Sequence, residues 1–204
     1  MGQYYKPTFL DKNADVTAND WNPIKWQLLC YDFGNGAKLM EHSWVHNGFV
    51  QAVEYLLSKD KEGTPFVWAG DYAENFSGFT NNLFGIGDDK CKEGLAELFK
   101  DGVLLQTKDF LGYDCYEIKN PKVYKYVINH TKKQFVRIPE YDKDKYTIHP
   151  LPLLTCESNG LGGGDYFSEV GKEFVGIWKY DKISVGDDVP KGFTELKVEF
   201  DEDY

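Results

Sequence analysis

The residues best suited to bind a ligand lie in a glycine-rich stretch late in the chain. Gly160, Gly162, Gly163 and Gly164 fill four of five consecutive positions, and each permits a positive φ and a close approach of the backbone. Their N–H groups can therefore turn inward around an anion. The stretch lacks the lysine of a phosphate-binding loop, and no helix is predicted directly after it. The pattern predicts an anion-binding turn that matches neither common nucleotide fingerprint.

Two Gly-Asp-Tyr corners supply carboxylates and phenols that could complete such a site. Asp71 and Tyr72 follow a short apolar strand that contains Trp68, and Asp165 and Tyr166 close the glycine stretch. A carboxylate accepts hydrogen bonds from a base or ribose edge, and an aromatic ring stacks on the base. The alternative is that each aspartate caps its own turn while each tyrosine fills the core.

His42 is the remaining candidate for the site. It stands four residues before His46, but on an extended strand the two imidazoles would be about 13 Å apart, too far to chelate one ion. We therefore assign no metal and no cofactor, and we take His42 as a hydrogen-bonding residue of a pocket or as a satisfied histidine at a sheet edge. A metal-dependent hydrolase would require His42, Asp71, His149 and Asp165 to converge in space.

The charge and cysteine content narrow the class of protein. The chain carries 33 acidic residues against 23 basic ones, for a formal net charge of −10, and Arg137 is its single arginine. Long nucleic acid is therefore not an expected partner. The four cysteines form no C-x-x-C pair, and nowhere do 18 apolar residues run together. We expect a cytoplasmic protein with reduced thiols and no membrane partner.

The hydrophobic pattern predicts an α+β fold, mainly an antiparallel sheet with two or three covering helices, in a single domain over residues 1–204. Asn47 is predicted to cap a helix over 47–58, and a second helix is predicted over 90–100. Residues 74–90 are predicted to form a long loop. Strands are predicted at 3–10, 26–31, 38–45, 65–69, 103–106, 113–118, 123–129 and 134–138. Pro7 should place the first strand at a sheet edge, and Asn35-Gly36 should turn a hairpin between the second and third strands.

A weak internal sequence similarity suggests two pseudo-repeated halves, at about 1–105 and 106–204. Phe66–Asp71 is similar to Phe174–Trp178 and the residues after it, and Asn35-Gly36 is similar to Asn159-Gly160. A duplicated module would explain this similarity and would leave a ligand cleft between the halves. Chance similarity of common strand-turn patterns would explain it equally well.

The opening Met-Gly-Gln-Tyr-Tyr-Lys resembles the start of a loose family of uncharacterised bacterial and phage proteins. The blocks Lys38–Trp44, Val67–Ala73 and Leu151–Tyr166 are similar to recurring blocks of that family. No settled activity comes with the resemblance. It implies a mobile-element setting, in which small acidic proteins often act against host defence.

We expect from these features a non-enzymatic protein that binds and sequesters a small anionic, nucleotide-like signalling molecule, as a phage counter-defence protein would. One alternative is a metal-dependent phosphodiester hydrolase of a similar ligand, and another is an acidic protein-binding inhibitor that uses the tail Asp201–Tyr204. The high aromatic content, 14 Phe, 14 Tyr and 5 Trp, leaves rings for ligand stacking or for a homodimer interface.

Overall fold

The computed structural model describes residues 2–12, 23–76, 78–86, 88–159 and 162–201, and within them an α+β fold. The strands are β1 Tyr5–Leu10, β2 Ile24–Gln27, β3 Thr64–Gly70, β4 Leu104–Lys108, β5 Asp114–Ile118, β6 Tyr126–Asn129, β7 Gln134–Arg137, β8 Lys182–Gly186 and β9 Thr194–Glu195. The helices are α1 Gly48–Ser58, α2 Leu83–Ile86, α3 Asp88–Lys100 and α4 Pro150–Thr155. Short 3₁₀ turns cover Cys30–Phe33, Leu39–Glu41 and Lys172–Phe174.

Seven of these strands form one sheet in the order β2-β1-β3-β8-β6-β7-β9. All neighbouring pairs are antiparallel except β7 and β9, which run parallel. β4 and β5 pair separately as a two-stranded sheet. The antiparallel character predicted from the sequence is confirmed.

β1 lies inside the sheet, so the edge position predicted from Pro7 is wrong. The carbonyl of Pro7 accepts from the Leu28 N–H, one residue beyond the end of β2. Because the nitrogen and the carbonyl of a strand residue point toward the same neighbour, the missing N–H of Pro7 faces the point where β2 ends. The proline therefore costs little in the ladder between β1 and β3.

The hairpin predicted around Asn35-Gly36 does not form. β2 ends at Gln27, and the chain continues through the turn Cys30–Phe33, which Gly34 ends in the left-handed conformation at φ 66°. The Asn35 N–H donates to the Cys30 carbonyl at 3.2 Å, which closes that turn. Burial of apolar side chains in the main core, rather than the local turn preference, decides this segment.

α1 confirms the predicted helix. The Asn47 side-chain oxygen accepts from the N–H groups of Phe49 and Val50 at 2.9 and 3.2 Å, which satisfies two donors of the first turn. The apolar face packs against β8 and buries Phe49, Val53 and the other residues spaced along it. Each fully buried side chain of this size contributes about 1.5–3 kcal/mol to the hydrophobic stabilisation.

Two other segments differ from the sequence prediction. The expected long loop over 74–90 contains α2 and the first turn of α3. The segment Phe174–Trp178, whose sequence is similar to that of Phe66–Asp71 in and after β3, lies in a 3₁₀ turn and the turns after it. These two segments therefore do not share a structure, and the duplication stays a hypothesis.

Among the described residues, none of the helices combines the length and the apolar character needed to cross a membrane.

Candidate functional site

The glycine stretch turns inward around a carboxylate of the protein itself. Gly162 N–H donates to Asp165 Oδ2 at 3.2 Å, and Tyr5 Oη donates to Asp165 Oδ1 at 2.7 Å. With its amide nitrogen facing these acceptors, Gln3 donates to Asp165 Oδ2 at 2.9 Å and to the Ser158 carbonyl at 2.7 Å. Asp165 is fully buried, so the position expected for a ligand anion holds its carboxylate.

Of the described glycines in this stretch, Gly162 is required by packing against the N-terminal residues. A Cβ on Gly162 would overlap the backbone nitrogen of Gln3. Gly164 has φ +88° and faces the Lys38 side chain, whereas Gly163 is exposed and forms a parallel bridge with Gly2. Gly160, the first glycine of the predicted anion site, lies outside the described residues.

Tyr166 is a core residue. Its hydroxyl donates to the Val170 carbonyl and accepts from the Asp201 N–H at 2.8 Å, and its ring packs edge-on against Phe200. The Asn159 side chain binds both backbone groups of Tyr166: its Nδ2 donates to the Tyr166 carbonyl and its Oδ1 accepts from the Tyr166 N–H, each at 2.9 Å. The hydroxyl and both backbone groups of Tyr166 are thus already engaged within the fold.

His42 and Trp68 form a buried pair. Trp68 Nε1–H donates to His42 Nε2 at 2.9 Å, so the ring proton of His42 is on Nδ1, which donates to the Gly36 carbonyl at 3.2 Å. Burial lowers the pKa of His42 to about 3, and the imidazole is therefore neutral at physiological pH. Both side chains are fully buried, so a ligand could reach them only if this part of the core opened.

Asp71 and Tyr72 form the more accessible of the two corners. Asp71 Oδ1 accepts from the Tyr4 N–H at 3.1 Å, and the Asp71 N–H donates to the Tyr4 carbonyl at 3.0 Å. Tyr72 is 37% exposed. Asp71 thus binds Tyr4 and Asp165 binds Tyr5, so the two corners contact consecutive residues near the N-terminus. Of the two corners, the one formed by Asp71 and Tyr72 is accessible to solvent.

Sequence reasoning missed Glu157, a buried carboxyl beside this segment. Glu157 is 7% exposed, Tyr180 Oη donates to its Oε1, and its Oε2 has no hydrogen-bond partner among the described residues. Burial raises the pKa of Glu157 to about 7, although the Lys179 ammonium and the Gly70 N–H oppose the rise. Ser158 and Tyr180 both have positive φ, at 56° and 68°. No local motif in the sequence marks this glutamate, because its environment comes from distant segments.

The convergence needed for a metal-dependent hydrolase is not present in the part of the chain that the structure describes. No group of three or more His, Cys, Asp or Glu side chains there could hold a metal ion. His149 instead caps α4, where its Nδ1 accepts from the Leu151 N–H at 3.2 Å, and its Nε2 donates to the buried Glu54 carboxylate at 3.1 Å.

A groove of about 340 Å³ has residues suited to stacking and to binding an anion, the two features that the sequence analysis predicted for the glycine stretch and the Gly-Asp-Tyr corners. Its lining residues include three aromatic residues and two lysines, which are Trp44, Tyr141, Tyr146, Lys143 and Lys145. Tyr146 is 67% exposed, and Trp44 contacts it edge-on with ring centroids 5.2 Å apart. We call this surface the aromatic groove.

The aromatic groove is built where two distant segments pair. Val45 N–H donates to the Thr147 carbonyl at 2.9 Å, and Trp44 forms an antiparallel bridge with Ile148. Outside this short ladder, Tyr141 is stacked on His46 with ring centroids 4.6 Å apart. Sequence reasoning missed the groove because its two sides are about a hundred residues apart. The run Tyr141–Tyr146, in which aspartate and lysine alternate between two tyrosines, was a signal.

Comparison of the chain with models of protein families, with curated proteins and with solved structures finds no significant match.

Proposed function

We propose that the protein binds and sequesters a small anionic, nucleotide-like ligand in the aromatic groove without converting it. The observation that carries the proposal is the convergence of three aromatic rings and two lysines on one cavity. Its volume of about 340 Å³ is within the range of about 300–1,000 Å³ typical of small-molecule sites.

The chemistry of the groove favours a ligand with a flat ring and a negative charge. Stacking of a base on an aromatic side chain is worth about 1–3 kcal/mol, and Tyr146 offers an exposed ring for it. Lys143 and Lys145 supply positive charge, against the single carboxylate of Asp144 among the lining residues. The lining residues thus carry one net positive charge, and Asp142, which adjoins Lys143 in the chain, offsets it from just outside the lining.

The biological setting of the proposal comes from the sequence resemblance. In a phage, such binding would sequester a nucleotide-like messenger of host defence. All four cysteines are free, as expected of a protein that works in the cytoplasm. The ligand site predicted at the glycine stretch and the Gly-Asp-Tyr corners stays a prediction beside the groove.

The test is calorimetric titration with a panel of linear and cyclic nucleotides, followed by mass spectrometry of the recovered ligand. Tyr146→Ala should weaken binding at least about fivefold, the loss of one stacked base. Tyr31→Ala is the matched control, because Tyr31 is comparably exposed at 61% but lies outside the groove and outside the tip of the β4–β5 hairpin. Binding lost in Asp71→Asn and kept in Tyr146→Ala would place the ligand at the corner instead. Absence of binding across the panel, or conversion of the nucleotide, would overturn the proposal.

We also propose a homodimer, and the surface that favours it is the tip of the β4–β5 hairpin. Phe110 is 94% exposed there, next to the exposed Leu111 and Tyr113. Exposed apolar patches of this kind commonly mark protein interfaces. Sedimentation of the wild type should show a dimer at micromolar concentration that Phe110→Asp converts to a monomer. A monomeric wild type would rule out the dimer and leave the hairpin to the protein-binding alternative.

A further inference from the structure

A second cleft, of about 450 Å³, contains a serine and a histidine within hydrogen-bonding distance. His130 Nε2 lies 2.7 Å from Ser184 Oγ, and both residues line the cleft. The cleft shares no lining residue with the aromatic groove. Binding in the groove and chemistry in the cleft can therefore be tested separately.

The sheet fixes the relative position of the two side chains. Ser184 is on β8 opposite Ile128 of β6, and the His130 N–H just beyond β6 donates to the Lys182 carbonyl at 2.8 Å. Ser184 and His130 are thus diagonal neighbours on one face of an antiparallel pair, where side chains can touch. Groups held on paired strands are positioned more accurately than groups on loops.

The protonation state of His130 suits it to accept the hydroxyl proton. Burial lowers the pKa of His130, so the imidazole is neutral near pH 7 and can act as a base. Asp60 and Glu62 act in the opposite direction and favour the imidazolium, whereas Lys182 disfavours it. The two carboxylates would therefore stabilise the imidazolium that forms when Ser184 transfers its proton.

The rest of the cleft lining fits an uncharged acyl group better than a phosphate. Ile128, Val189 and Pro190 provide apolar surface. The lysines of the cleft, Lys61 and Lys122, are balanced by Asp187 and Asp188, and Lys122 is paired with Asp187 at 3.0 Å. A phosphate would find no net positive charge there, whereas an ester with a short acyl chain would meet no unfavourable charge.

We propose that Ser184 is the nucleophile and His130 the general base of an acyl-transfer site for small carboxylic esters. Ser184 Oγ forms a bond to the carbonyl carbon of the ester while its proton moves to His130 Nε2. The bond from that carbon to the alcohol oxygen then breaks, and the leaving alcohol takes the proton from His130. Water, deprotonated by the same imidazole, attacks the acyl carbon. The bond from that carbon to Ser184 Oγ breaks, Oγ takes the proton back from His130, and the carboxylic acid is released.

The first experiment needs no variant. Wild-type protein is incubated with a fluorophosphonate probe, which labels activated serines, and the labelled peptide is mapped by mass spectrometry. The expected result is a single adduct on Ser184. An unlabelled protein, or labelling spread over other serines, would overturn the proposal.

The second experiment compares hydrolysis of p-nitrophenyl butyrate by three variants. Ser184→Ala should reduce turnover to the background rate, and His130→Gln should reduce it by about 10²–10⁴-fold, the usual contribution of a general base. Ser168→Ala is the control, because Ser168 does not line the cleft and donates to Asp201 Oδ2 at 2.9 Å. Equal turnover by Ser184→Ala and the wild type would sink the proposal, and circular dichroism checks that each variant is folded.

Discussion

Trp68 donates its indole N–H to Nε2 of His42 across 2.9 Å, and neither side chain is exposed to solvent. The bond fixes the tautomer of His42 and leaves no nitrogen for a ligand, because Nδ1 already donates to the Gly36 carbonyl. Two residues that the sequence marked as ligand contacts are therefore hydrogen-bonded to each other in the core. We expect the protonation of His42 to affect the free energy of unfolding.

The pH dependence of stability should carry the signature of His42. Its pKa is about 3 in the folded protein and about 6.5 in an unfolded chain, so from pH 6.5 down to 3 only the unfolded state takes up this proton. The contribution of His42 to the free energy of unfolding therefore falls with falling pH, by up to about 1.4 kcal/mol per pH unit. His42→Gln keeps an acceptor for Trp68 and should remove this slope in urea unfolding between pH 6.5 and 4.5. An unchanged slope in the variant would contradict the assignment.

Glu157 should act in the opposite direction. Its pKa is about 7 in the folded protein and about 4.5 in an unfolded chain, so between these values the folded state binds the extra proton. Its contribution to stability is complete below pH 4.5 and is lost as the pH rises through 7. In the wild type, the two groups therefore offset each other between pH 4.5 and 6.5.

Glu157→Gln tests this compensation, since it removes the titration but keeps an acceptor for Tyr180. The variant should lose stability more steeply than the wild type as the pH falls from 6.5 to 4.5. At pH 8 it should be more stable than the wild type, by about 1–3 kcal/mol, because no charge is buried. A variant less stable than the wild type at pH 8 would show that the carboxylate has partners beyond Tyr180.

The two aspartates of the Gly-Asp-Tyr corners should respond differently to the same substitution. Asp165→Asn places an amide nitrogen against the donors of Tyr5, Gln3 or Gly162 in a fully buried site, and we expect a loss of about 2–4 kcal/mol. Asp71→Asn keeps the oxygen that accepts from Tyr4 in a half-buried site, and we expect a loss below about 1 kcal/mol. Chemical denaturation of both variants measures the difference, and equal losses would argue against the buried network.

Neighbouring glycines give a similar matched pair. Gly162→Ala would drive a methyl group into the Gln3 backbone and should cost about 1–3 kcal/mol or more. The methyl group of Gly163→Ala would meet no atom nearer than the Gly2 Cα, at 4.0 Å, and the substitution should change the melting temperature little. If Gly163→Ala were the more damaging substitution, packing against Gln3 would not be the reason that position 162 is a glycine.

Much of the fold could be predicted because it rests on local signals. Asn47 caps α1 through atoms two and three residues away, and the apolar spacing after it defines the buried face. The β4–β5 and β6–β7 pairs follow from short alternating runs joined by tight turns. At Asn35-Gly36 the local sequence favours a hairpin turn, but the burial of neighbouring apolar side chains determined the structure instead.

The sequence alone determined which residue types were available: a run of glycines, many carboxylates, many aromatic rings and fewer basic residues than acidic ones. Only the tertiary structure decided what each of them faces. Asp165 meets Tyr5 from 160 positions away, Trp44 meets Tyr146, and Ser184 meets His130 across two strands. The physical reason is that burial and hydrogen bonding between distant segments set whether a polar group faces solvent or is satisfied inside the protein, and local sequence carries little information about those partners.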